Sequence, residues 1–219
     1  MSGFLSSTIG KKYLMGLTGL VWAGFVFGHM AGNMTIFVSP DLYNQYGHAI
    51  TSNKVLIYGT EAVLLLSLIV HVILAVNLTR LNTKAKGYLA ISTATGPKRT
   101  PLASQTMIIQ GTMLLAFIIF HLITFKYGDY YETTVNGVVM RDLARLMTEV
   151  FSQPLALAWY VVSLLLLFAH LKHGFGSVFQ SFGLLHPSYQ AKIKAASWGY
   201  AIVVTAGFIS QPLYVYLAS

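Results

Sequence analysis

The chain contains no cysteine and few charges, and acidic residues are scarcer than basic ones. Without cysteine there is no disulfide, no iron–sulfur cluster held by thiolates of this chain, and no haem attached through a Cys-x-x-Cys-His motif. Charged residues make up 9% of the 219 positions, where an ordinary soluble domain carries roughly a quarter. That deficit, beside an apolar share of 55%, describes a chain whose solvent is largely lipid. A net charge of +8 would by itself fit nucleic-acid binding, but no basic run with interleaved aromatics is present. The basic residues sit between apolar stretches instead, as in membrane proteins.

What is present is a series of five long apolar stretches, over residues 12–38, 58–81, 101–127, 153–179 and 191–217. Each is long enough to cross a bilayer as a helix. Lys11 and Lys12 precede the first in the manner of a signal peptide, but the run is too long for one and no small-x-small cleavage site follows. It reads as a retained span. Pro101 and Pro154 suit the first turns of their helices. Ser39-Pro40-Asp41, Thr95-Gly96-Pro97 and Asn136-Gly137 mark the connections. No internal repeat of about 20–50 residues is evident. The expected fold is all-α, one integral membrane bundle of five transmembrane helices forming a single domain over residues 1–219.

Basic residues give the expected orientation. With the N-terminus cytoplasmic, the inner side receives Lys11, Lys12, Arg80, Lys84, Lys86, Lys98, Arg99, Lys172, Lys192 and Lys194, and the outer side only Lys54, Lys126, Arg141 and Arg145. The excess favours N-terminus in and C-terminus out. The six acids, Asp41, Glu61, Asp129, Glu132, Asp142 and Glu149, all fall on or near the outer side. In the connection before the fourth span, Leu143, Leu146, Met147 and Val150 repeat at helical spacing. A short amphipathic helix at the membrane interface and an ordinary solvated loop helix fit that pattern equally.

Four of the five spans carry one deep histidine: His29, His71, His121 and His170. An ionisable side chain inside a span is costly and marks function by default. A lone buried histidine is more often structural, but one on each of four helices is not easily explained that way. Depth sorts them. At 1.5 Å per residue, His29 lies about 26 Å from Lys12 at the inner end and His121 about 33 Å from Arg99. His71 lies only about 14 Å from inner Arg80, and His170 roughly 26 Å from Gln153 at the outer end. His29 and His121 therefore share the outer half, and His71 and His170 the inner half. Two facing neutral imidazoles at one depth are what a six-coordinate haem iron needs, and filling both axial positions favours electron transfer over oxygen activation.

The remaining signals are weaker. Gly24, Gly28 and Gly32 at four-residue spacing, with Gly16 and Gly19 before them, would admit a flat macrocycle, or simply another helix. Arg80, Lys84, Arg99 and Lys172 would neutralise haem propionates at the inner face, although topology alone explains basic residues there. His173, one turn beyond His170, is the rival fourth ligand. His48 and His186 read as surface residues.

At these positions the sequence resembles the di-haem cytochrome b membrane subunit of succinate:quinone oxidoreductases, the succinate dehydrogenases and fumarate reductases. The matching stretches are Ser7-Thr8-Ile9-Gly10-Lys11-Lys12, Thr18-Gly19-Leu20, His29-Met30-Ala31-Gly32-Asn33, Glu61 to His71 with Ala75, and Phe120-His121-Leu122. They end with Glu149-Val150-Phe151-Ser152-Gln153-Pro154 and the run from His170 through Lys172-His173-Gly174 to Gly183. The last motif is the most specific, and it puts the family's ligand at His170, not His173. The resemblance implies two haems b, one between spans one and three and one between spans two and four, with His29, His121, His71 and His170 as axial ligands to iron. It further implies an iron–sulfur subunit and a flavoprotein subunit as partners, a quinone (menaquinone in this type) handled near the outer haem, and location in the cytoplasmic membrane. No dicarboxylate site is expected in this chain. Proton-coupled quinone chemistry needs hydrogen-bonding, titratable groups, for which Glu61 is the first candidate and Asp129 and Glu132 the alternatives.

Two other readings compete. A di-haem cytochrome b of another quinone-linked dehydrogenase would share the cofactors and differ in its soluble partners. A haem-free proton-coupled transporter or a plain membrane anchor would be colourless; the transporter would be expected to show paired inverted repeats and broken helices.

Overall fold

The computed structural model describes residues 3–4, 7–86, 106–184 and 186–218. Thr95-Gly96-Pro97, Lys98, Arg99 and Pro101 lie outside the described residues, as do the side chains of Lys84 and Lys86. Among the described residues seven α-helices follow one another: α1 (Thr8–Asn33), α2 (Pro40–Ser52), α3 (Lys54–Lys86), α4 (Met107–His121), α5 (Leu143–Phe151), α6 (Pro154–Ser181) and α7 (Pro187–Ala218). A 3-10 turn extends α1 over Met34–Phe37, and a π turn extends α4 over Leu122–Lys126. Five of these helices, α1, α3, α4, α6 and α7, are long and apolar enough to cross a membrane.

Local chemistry fixes the ends. Ser7 caps α1 by accepting from the Gly10 amide, Ser39 caps α2 by accepting from Leu42, and Asp142 caps α5 by accepting from Arg145. Each satisfies an amide that the first helical turn leaves free. Pro154 stands at the first turn of α6, where its missing N–H breaks no helical bond.

Four spans form a closed ring. α1 packs on α3, α3 on α4, α4 on α6, and α6 back on α1. The diagonals, α1 with α4 and α3 with α6, share little or no close backbone contact. α7 lies outside the ring against α6 and α1. It is tied there by Tyr200, whose hydroxyl donates to the Ala23 carbonyl, and by buried Gln211, whose amide donates to the Met30 carbonyl at 3.0 Å. Gly207 lets this helix approach closely, since a Cβ there would overlap Met30.

One end of the bundle carries a cap that the hydropathy pattern does not reveal. Ser39-Pro40-Asp41 opens the 13-residue helix α2, with Ser39 as its cap and Pro40 and Asp41 in its first turn. Residues Glu132–Val135 and Val138–Arg141 form an antiparallel hairpin with Val135 opposite Val138. Its turn is Asn136-Gly137, both at positive φ (52° and 79°), as the tightest hairpin connections require. α5 packs against the rest of the protein. Its apolar face is buried within the protein, where Ala144, Met147 and Phe151 pack with Ile36, Tyr43, Tyr160 and Val215. Protein, not lipid, takes up that amphipathic face.

Candidate functional site

The interior of the four-helix ring is crossed by two pairs of histidines, one on each diagonal. His29 of α1 and His121 of α4 face each other with ring centroids 5.8 Å apart and planes at 79°. His71 of α3 and His170 of α6 do the same at 6.5 Å and 57°. These are the pairs that helix rise sorts by depth. His173 makes no ring contact with a histidine across the bundle among the described residues, and its backbone carbonyl accepts from the Ser177 hydroxyl. His48 lies on α2, and His186 is exposed beside Ser188 and Tyr189.

The two pairs occupy separate levels. Thr18 contacts His71, and His29 follows eleven residues later on the same helix, about 16 Å along the axis. Gly111 abuts His170, and His121 follows ten residues later on α4, about 15 Å. The two estimates agree. The arrangement also repeats around the bundle axis. Gly19 and Gly111 each stand ten residues before the histidine of their own helix. Each abuts the inner histidine of a neighbouring helix, a Cβ at Gly19 lying 3.6 Å from His71 Cε1 and one at Gly111 lying 3.7 Å from His170 Cε1.

Neighbouring groups differ between the four rings. His71 Nδ1 is 3.0 Å from the Thr18 hydroxyl. His121 Nδ1 is 3.2 Å from the Tyr160 hydroxyl. His170 Nδ1 is buried and unpartnered. His29 stacks on Phe25, with planes 10° apart, and packs on Phe208. Asn33 approaches its Nε2 at 3.4 Å but donates at 2.9 Å to its carbonyl.

These residues fit a metal held between paired imidazoles. Imidazole nitrogens bind first-row metal ions at about 2.0 Å, as on zinc, and the ring centre lies ~1.1 Å behind the nitrogen, so rings on opposite sides of one ion have centres about 6 Å apart. The observed 5.8 and 6.5 Å bracket that spacing. Among the described residues no group of three or more His, Asp or Glu could hold a metal ion alone. Gly24 and Gly28 leave α1 bare between the two levels, since a Cβ at either meets no heavy atom within 4 Å. They are not packing glycines for another helix. Gly16 and Gly32 are, against Phe182 and Tyr46. Lys172 is turned to α7, its ammonium 4.0 Å from the centre of the Trp198 ring, and Arg80 is exposed.

The acids gather at the capped end, each in different company. Glu61 is ion-paired with Lys126. Glu132 is exposed on the hairpin. Asp129 and Glu149 line a cavity of about 380 Å³ whose wall includes Trp159 and Tyr160. Trp159 Nε1 is buried without a partner. Glu149 also accepts from Tyr131 and Arg145, which hold its carboxyl below the ordinary glutamate value. Sequence reasoning missed Thr18 and Tyr160. A polar side chain facing into an apolar span was the available signal for both.

No protein-family model matches the chain, and neither the curated proteins nor the solved structures include a significant match to it. Fold and hydropathy define its class: an all-α, multi-span integral membrane protein.

Proposed function

We propose that the chain is the di-haem cytochrome b membrane subunit of a succinate:quinone oxidoreductase, carrying electrons between an iron–sulfur subunit and a membrane quinone. The supporting observation is the placement of four intramembrane histidines as two facing pairs, one per diagonal, at a spacing suited to one metal ion between each pair. His29 with His121 and His71 with His170 would hold two haems b. When bound, these supply a one-electron path across the bilayer with both axial positions closed to oxygen.

The chain's own residues do the rest. The ring of helices keeps water from the imidazoles, and the cap of α2, hairpin and α5 covers the outer level. Positive-inside counting supports a cytoplasmic N-terminus. With that orientation, the His71–His170 level of the proposed subunit faces the cytoplasmic partners of a complex in the cytoplasmic membrane. On the outer side, the Asp129 cavity falls within the usual size of a small-molecule site, and its wall includes Tyr160, the hydroxyl on His121. Of the three acids, Asp129 lines this cavity; Glu61 is half-buried and ion-paired with Lys126, and Asp129 and Glu132 are both exposed.

Purification of the chain with its companions, followed by addition of succinate, tests this reading. A co-purifying flavoprotein and iron–sulfur protein, with succinate reducing a b-type chromophore, is the expected result. Co-purification with a nickel or molybdenum enzyme would assign the chain to a different dehydrogenase, and a colourless protein would leave an anchor or transporter.

A further inference from the structure

Thr18 is 6% exposed, a buried hydroxyl in an apolar helix. Its oxygen lies 3.0 Å from both the Leu14 and Met15 carbonyls of its own helix, and 3.0 Å from His71 Nδ1. A hydroxyl has one proton and two lone pairs. Carbonyls only accept, and a hydroxyl inside a helix commonly gives its proton to the preceding turn, here to Leu14 or Met15, which leaves the oxygen able to accept from His71. In that arrangement His71 is the Nδ1–H tautomer, with the Nε2 lone pair free.

The other inner histidine has a neighbour in the corresponding place. Thr18 immediately precedes Gly19, the residue against which His71 lies, and Gln110 immediately precedes Gly111, against which His170 lies. Gln110 is 8% exposed. Its amide nitrogen is satisfied by Thr106 at 2.8 Å, while its carbonyl oxygen is buried and unpartnered, as is His170 Nδ1. A donor and an acceptor each left unpaired in an apolar interior are costly.

We infer that Thr18 and Gln110 are the positioning residues of the inner histidine pair: Thr18 accepts the Nδ1 proton of His71, and Gln110, whose Oε1 does not hydrogen-bond His170 in this structure, accepts the Nδ1 proton of His170 once its Nε2 holds a metal. The inference rests on the di-haem reading above. Hydrogen bonding to the far nitrogen of a ligating imidazole fixes ring and tautomer and raises its basicity. In the outer pair the hydroxyl beside His121 Nδ1 is the phenol of Tyr160, from a neighbouring helix.

The test uses the intact purified complex with Thr18→Val, Thr18→Ser and Gln110→Leu. The readouts are haem content, the midpoint potentials of the two haems, and the low-spin ferric g-values. Thr18→Val keeps the shape and removes the acceptor. It should weaken retention of the inner haem by roughly 10- to 100-fold and raise its potential, leaving the outer haem unmoved. Thr18→Ser should restore both. Gln110→Leu should act in the same direction on the same haem. Should Thr18→Val fail to assemble, Gln110→Leu carries the test. Variants that retain both haems with unchanged potentials and g-values would overturn the inference and leave the di-haem reading standing. A haem-free wild-type complex would overturn both.

Discussion

Asn44 of α2 donates to the Asp142 carboxylate at 2.9 Å, and its own carbonyl oxygen accepts from the Ala144 amide at 2.9 Å. One side chain, only 2% exposed, thus joins the first outer connection to the second, about a hundred residues later. Asp142 also caps α5, so this junction joins α2 to the start of α5 beside the apolar cluster that packs the same two helices.

Replacing Asn44 with alanine leaves the Ala144 amide buried and unpaired, a loss of about 1–3 kcal/mol. The expected outcome is faster hydrogen exchange across α5 and the hairpin, with exchange in α6 and α7 unchanged. Equal acceleration throughout the bundle would mean that the junction is not local to the cap.

The inner ligands should separate cleanly from their neighbour. His71→Ala and His170→Ala each remove one haem and disturb assembly, while His173→Ala keeps both, as measured by haem content per chain. Loss in His173→Ala with retention in His170→Ala would reverse the assignment.

Space beside the inner pair gives a graded expectation. Alanine at Gly19 or Gly111 meets the neighbouring ring at 3.6 or 3.7 Å, ordinary contact, and should be tolerated. Leucine at either must displace an imidazole, since packed interiors have no room for added atoms, and should lower inner-haem content. Haem analysis of the four variants decides it.

Glu149 supplies a pH dependence. Its carboxyl is held low, first by the Tyr131 hydrogen bond and then by Arg145. A depressed folded value means that its contribution is complete above the ordinary glutamate range and is lost as pH falls through the lowered value. Proteolysis of the hairpin–α5 segment should therefore increase at acid pH, and Glu149→Gln should flatten that dependence. Asp129→Asn should slow quinone turnover at full haem content, with a smaller effect from Glu61→Gln.

Long apolar runs carry their own period and length, so the five spans were legible in the sequence. The histidine pairing was legible because helix rise converts residue number into depth. α2 was not, because a polar helix of 13 residues outside the membrane has neither the length nor the hydropathy that marks a span. The role of α5 was only half legible. Its apolar stripe is plain, but whether lipid or protein covers it depends on Ile36, Tyr43 and Tyr160, contributed by distant segments. The ion pair of Glu61 with Lys126 was hidden for the same reason. The repeated Gly-to-His spacing of α1 and α4 is too sparse to register as a sequence repeat and becomes visible only once the diagonals are known.

The most direct test is the haem-to-protein ratio of the gently solubilised chain and its companions, taken with a reduced-minus-oxidised spectrum. About two haems per chain, with the low-spin b-type bands of paired imidazole ligation, is the expected result. A colourless protein from a haem-replete host, its helices intact by circular dichroism, would contradict the central claim that the two histidine pairs hold haem.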